Sequence, residues 1–150
     1  MSGADPMLAA VIGCVLTVVL CVYVHLGTLR LLNDRVLPRF ERHSRTAVGV
    51  MVLVALVGHL LEIWIFSITI LIVGSLSDTQ FAEELQLDGF DAFYYSAVSY
   101  TSMGAEPLHE SSLRILTAIE ALTGLILITW TASFIFLVMQ RTWEGQQHHR

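Results

Sequence analysis

Hydrophobic residues run almost unbroken through three stretches, residues 7–29, 47–76 and 113–139, with polar residues gathered between them. Crossing a hydrocarbon core takes about 20 apolar residues of helix, so each stretch predicts a membrane-spanning helix. The second is longer than it needs to be, which predicts a tilt or a projecting end. The first has neither a basic start nor a small-residue cleavage site, and its apolar run is too long for a signal peptide. It reads as a retained helix.

The polar connection at 77–112 contains one further periodic segment. Phe93, Tyr94, Ala97 and Val98 recur at helical spacing, and Asp91 stands ahead of them as a cap. About eleven residues of helix make roughly 16 Å, enough to enter a membrane and too short to cross it. Such a helix has to return as non-helical chain, which is tolerated at membrane depth only where protein buries it or it lines a watery cavity. The chain that follows is Thr101, Ser102, Met103 and Gly104. Its carbonyls and two hydroxyls suit an ion shedding water, and the negative C-terminal end of the short helix favours a cation. Gly104 supplies a left-handed backbone position. The pattern predicts an all-α membrane protein, with three transmembrane helices, a re-entrant pore helix and a filter loop.

Composition supports a membrane protein. The 150 residues are 55% hydrophobic and 14% charged, with a mean hydropathy of +0.67, too apolar for a soluble domain of this length. Charge adds an orientation. The basic residues are all Arg: Arg30, Arg35, Arg39, Arg42 and Arg45 fill the first linker, and Arg141 and Arg150 follow the third span. The excess predicts a cytoplasmic linker and C-terminus and an outside N-terminus, in a multi-pass protein of the cell membrane. The connection at 77–112 carries Asp78, Glu83, Glu84, Asp88, Asp91, Glu106 and Glu110 without Arg, and Arg114 just beyond it is the exception. The net charge of −5 thus hides an acidic outer side, which concentrates cations; Glu83 and Glu84 alone could equally serve solvation. Expected partners are lipid and inorganic cations, not nucleic acid, and no cofactor is implied.

Within the spans, Cys14 and Cys21 lie seven apart on one helix face and read as packing residues. His59 and Glu62 share a face of the second span, and Glu120 lies about two turns into the third. Intramembrane acids are costly and are paired or functional. Two readings stand: a hydrogen-bonded network bracing the pore helix, which we favour, or a proton relay through Glu62 or Glu120. Trp64, Trp130 and Trp143 read as packing or interface anchors. No nucleophile and base pairing or phosphate loop stands out, so an enzyme is not expected.

The stretch YYSAVSYTSMGAEPL resembles the pore loop of the two-transmembrane potassium-channel superfamily, in which aromatic residues and a serine precede Thr-Thr-x-Gly-Tyr-Gly-Asp. The resemblance spans residues 47–139 as outer helix, pore helix, filter and inner helix. HLLEIWIF and IEALTGLILITW are similar to stretches of small bacterial ion-channel-family proteins that carry an additional N-terminal helix. The resemblance implies a homotetramer around a central pore, with an extra helix and basic linker at 1–46, the pore module at 47–139 and a short tail at 140–150. It also implies an inner helix that bends near a glycine. Gly124 suits that hinge, and equally suits close helix packing.

The departures shape the functional expectation. Thr101 and Gly104 occupy the family's first threonine and first glycine, Ser102 replaces the second threonine, and Met103 takes the hydrophobic slot. Ala105 then replaces the bracing aromatic, and Glu106 and Pro107 replace the second glycine and the aspartate. The outer sites of a potassium filter are not expected to form, while inner sites around residues 101–103 are. Four copies of Glu106 would make a carboxylate ring suited to hard divalent cations such as calcium. Turned away, Glu106 would instead bond backbone at the loop exit. His109 and Glu110 lie close in sequence, and a surface role suits His109 better than pH or zinc sensing. The reading is a tetrameric cation channel with the atypical filter TSMGAE, non-selective or divalent-permeable, with potassium, sodium or calcium as permeant ions. A single-glycine filter also resembles the potassium transporter superfamily, and a non-conducting channel-fold scaffold is the alternative.

Overall fold

The structure, a computed structural model, describes residues 6–40, 44–76, 89–104 and 111–147. Among them every regular element is helical: α1 (Pro6–Leu31), α2 (Ser44–Leu76), α3 (Gly89–Tyr100) and α4 (Ser111–Gln147). Three segments are long and apolar enough to cross a membrane: Ala10–Arg39, Thr46–Ser75 and Leu113–Gln140. The chain is an all-α, multi-pass membrane protein. α1 loosens into a π turn (Leu32–Val36) and a 3-10 turn (Leu37–Phe40). Pro38 accounts for this, because it lacks the N–H that would bond Asp34 and its ring crowds that carbonyl.

α1 and α2 run antiparallel, and small residues let them close together. A Cβ on Gly58 would meet the Thr28 side chain at 2.9 Å, and one on Gly13 would meet Thr69 at 3.5 Å. Thr17 and Thr69 join their hydroxyls across the same seam at 2.6 Å. Lipid offers helices no hydrophobic reason to pair, so close approach and interhelical hydrogen bonds take over. α4 packs on both α1 and α2. Cys14 and Cys21 are free thiols buried in an apolar cluster with Ile63, Phe66, Ile70, Tyr100, Leu116 and Leu127. A second cluster, Leu29, Leu32, Met51, Ala55 and Val138, fills the Arg-bearing end.

α3 is the short element. Its 12 residues make about 18 Å, and its C-terminal Tyr100 reaches Glu62 in mid-α2 and Gly124 in mid-α4. It therefore enters the bundle and stops inside. It begins at Gly89, two residues before Asp91, so Asp91 lies in the first turn and not at the cap. A carboxylate there still meets the positive end of the helix. α4 continues as helix to Gln147, through much of the segment expected as a tail.

Candidate functional site

The turn expected as the filter grows directly from the end of α3. Thr101 N–H donates to the Ala97 carbonyl, Ser102 N–H to Ser99 and Met103 N–H to Val98, at 3.1, 2.9 and 3.1 Å. The last two bonds, together with a left-handed Ser102 (φ 56°), form a Schellman cap. Non-glycine residues seldom adopt this conformation, at a cost of about 1–2 kcal/mol. Gly104 is also left-handed, with φ 89°. Positive φ at alternate residues breaks the strand pattern and permits successive carbonyls to share a side. The Thr101 hydroxyl donates back to the Ala97 carbonyl at 2.7 Å, so it is committed to its own helix. Residues 101–104 are all exposed, Met103 by 79%. Ala105 and Glu106, the outer half of the expected filter, lie outside the described residues, as do Pro107, His109 and Glu110.

Two carboxyl groups hold α3 from inside the bundle. Ser96 donates its hydroxyl to the Ile63 carbonyl at 2.9 Å and also contacts Glu120 Oε1. One hydroxyl carries one proton, so with Ile63 as acceptor the Glu120 contact closes when the carboxyl group donates. The Glu120 Oε2 atom is buried without a partner among the described residues, as is Ser67 Oγ.

Glu62 is the second anchor. The Tyr100 hydroxyl donates to Glu62 Oε2, His59 Nδ1 lies 3.0 Å from the same oxygen, and His25 Nδ1 lies 3.0 Å from Oε1. His59 Nδ1 is also 3.0 Å from the Tyr100 hydroxyl, and Thr131 Oγ1 lies 3.1 Å from His59 Nε2 and 3.5 Å from His25 Nε2. The Trp130 ring stands 5.3 Å from that of His25. Glu62, His25 and Tyr100 are all buried. The carboxylate is thus held by α1, its own helix and α3.

The structure brings His59 and Glu62 together and places Glu120 on a different contact, with Ser96. Sequence reasoning missed His25, Ser96, Tyr100 and Thr131. His25 carried a legible signal, since an ionisable side chain inside a predicted span is as costly as Glu62. Ser96 and Tyr100 are polar positions four apart on the short helix, a weaker sign of an inward polar face. Gly124 sits within the unbroken α4, where a Cβ would come 2.1 Å from the Tyr100 carbonyl oxygen. The backbones of α3 and α4 touch there.

The profile of an ion channel family matches residues 54–141, more than half of the chain. The chain belongs to this ion channel family. No curated protein and no solved structure matches the chain. The matched region of this ion channel begins in α2 and ends in α4. It contains Glu62, the whole of α3, the capped turn and Gly124, and leaves α1 with His25 outside.

Proposed function

We propose that this ion channel is a homotetrameric cation channel, with one filter turn from each subunit facing a common axis. The observation that carries this reading is the capped turn at 101–104, an exposed non-helical segment at the inner end of a half-length helix. The cap consumes the Val98 and Ser99 carbonyls, while those of Thr101, Ser102 and Met103 accept no described hydrogen bond. Four copies would supply rings of carbonyl oxygens to replace an ion's water. Residues 47–139 form the pore module, 1–46 the extra helix and basic linker, and 140–150 the tail. The Arg-rich end faces the cytoplasm and the N-terminus lies outside. A bend of α4 at Gly124 would act on the pore helix at once, because the two backbones meet there.

Selectivity is assigned to Glu106. A ring of four carboxylates at the outer mouth favours divalent over monovalent cations and leaves potassium without its usual outer sites. The test is bi-ionic permeability in liposomes for potassium, sodium and calcium. Glu106→Gln is expected to lower calcium permeability relative to sodium by about tenfold, which is about 1.4 kcal/mol of ion binding. An unchanged calcium-to-sodium ratio would remove Glu106 from the mechanism. A strong preference for potassium over sodium in the wild type would contradict the proposed selectivity.

A further inference from the structure

We propose that His25, His59 and Glu62, with Tyr100 as fourth donor, bind one divalent transition-metal ion of the zinc class where α1 packs on α2 beside the end of the short helix. The three side chains offer one ligand atom each, all within 4.8 Å of one another. Bonds of about 2.1 Å to a tetrahedral ion place neighbouring ligand atoms roughly 3.4 Å apart. The two Nδ1 atoms already stand 3.0 Å from the Glu62 oxygens, so small side-chain shifts would seat an ion. Imidazole nitrogen and carboxylate oxygen are donors that zinc accepts.

The hydroxyl of Thr131 adds a second observation. It faces the Nε2 atoms of both histidines, at 3.1 and 3.5 Å. A hydroxyl oxygen accepts two hydrogen bonds, so both Nε2–H groups can be satisfied there. In that tautomer both Nδ1 lone pairs face the carboxylate and can take an ion between them, whereas without metal the Nδ1–H tautomer donates to Glu62. Histidines that bind metals carry this kind of outer hydrogen bond, which fixes the tautomer. Charge points the same way. The Glu62 carboxylate offsets part of the charge of a divalent ion, which makes the site less costly inside a membrane than one built from imidazoles alone. The His59 side chain, 15% exposed, marks the way in. A bound ion would tie α1, α2 and α3 at one point.

The competing occupant is a proton, carried by one of the two histidines. The test uses full-length protein in detergent, purified without a polyhistidine tag and carrying His43→Gln, His109→Gln, His148→Gln and His149→Gln, so that only His25 and His59 remain. After EDTA treatment and removal, cobalt(II) alone is added as the probe. The expected result is about one cobalt per chain, visible absorption of tetrahedral intensity, displacement by zinc, and affinity at least about tenfold lower in His25→Asn. Folded protein that binds no cobalt would overturn the proposal in favour of the proton, and undiminished affinity in His25→Asn would also overturn it. Should His25→Asn aggregate, X-ray absorption on the cobalt-loaded protein decides: two imidazole ligands support the site, and fewer contradict it.

Discussion

Replacing Gly124 by alanine is expected to destabilise the protein by about 3 kcal/mol, at the upper end of the range for overpacked cores. The added Cβ would stand 2.1 Å from the Tyr100 carbonyl oxygen, and the obstacle is backbone, not the end of a flexible side chain. Either α4 moves away or the last turn of α3 shifts, and the turn at 101–104 is capped onto it. For a chain of this length the loss corresponds to a melting point lower by about 10 °C, read by circular dichroism on protein in detergent. Ion flux is expected to fall with it. Gly49→Ala is the control: nothing lies within 4 Å of a Cβ there, and a helical alanine in place of glycine stabilises by roughly 0.5–1 kcal/mol. Equal melting points for Gly124→Ala and the wild type would show that α3 does not rest on α4 as described.

The second large effect is expected at Glu62. Truncation to alanine strands His25, His59 and Tyr100 in the bundle interior without their shared acceptor. Breaking a buried charged network by removing one partner costs about 3–5 kcal/mol. Glu62→Gln keeps the shape but replaces one acceptor oxygen with a donor, and is expected to cost about 1–3 kcal/mol. Melting in EDTA keeps this comparison free of any bound metal. Glu120→Gln is expected to behave differently, since its amide can either accept from or donate to the Ser96 hydroxyl. A change of less than about 1 kcal/mol there, beside the larger loss at Glu62, would establish that the two acids hold α3 in different ways. Equal losses for the two glutamine variants would contradict the hydrogen-bond assignment.

Much of the architecture was legible because membrane helices announce themselves through length and apolar composition. The spans at 7–29, 47–76 and 113–139 correspond to α1, α2 and α4, and Phe93, Tyr94, Ala97 and Val98 lie on α3. Boundaries were less legible. Asp91 looked like a cap, yet Gly89 already begins the helix, because an acid in the first turn is nearly as favourable as one at the cap. The polar centre was half legible. His59 and Glu62 share one helix and their spacing shows it, whereas His25 and Thr131 join them only after three helices pack. A sequence pattern reports faces of single elements and not their meeting points. Ser102 illustrates the same limit: its left-handed conformation belongs to the cap on α3, and nothing in the residue type called for it. Gly124 had two readings, and the close approach to Tyr100 gives one of them a physical ground without excluding motion there.

These pieces assign distinct duties along the chain. α2 and α4 hold the short α3 through Glu62, Glu120 and Gly124, α3 presents the turn, and α1 adds His25 from outside the matched region. The turn at 101–104, continued by Glu106, is where ions are expected to cross. The most direct test is cation flux through wild-type protein purified and reconstituted into liposomes, compared with empty liposomes carried through the same procedure. Flux of sodium, potassium and calcium is expected well above the empty control, without strong preference for potassium. Flux no greater than the control for all three ions, from protein shown to be folded and inserted, would contradict it.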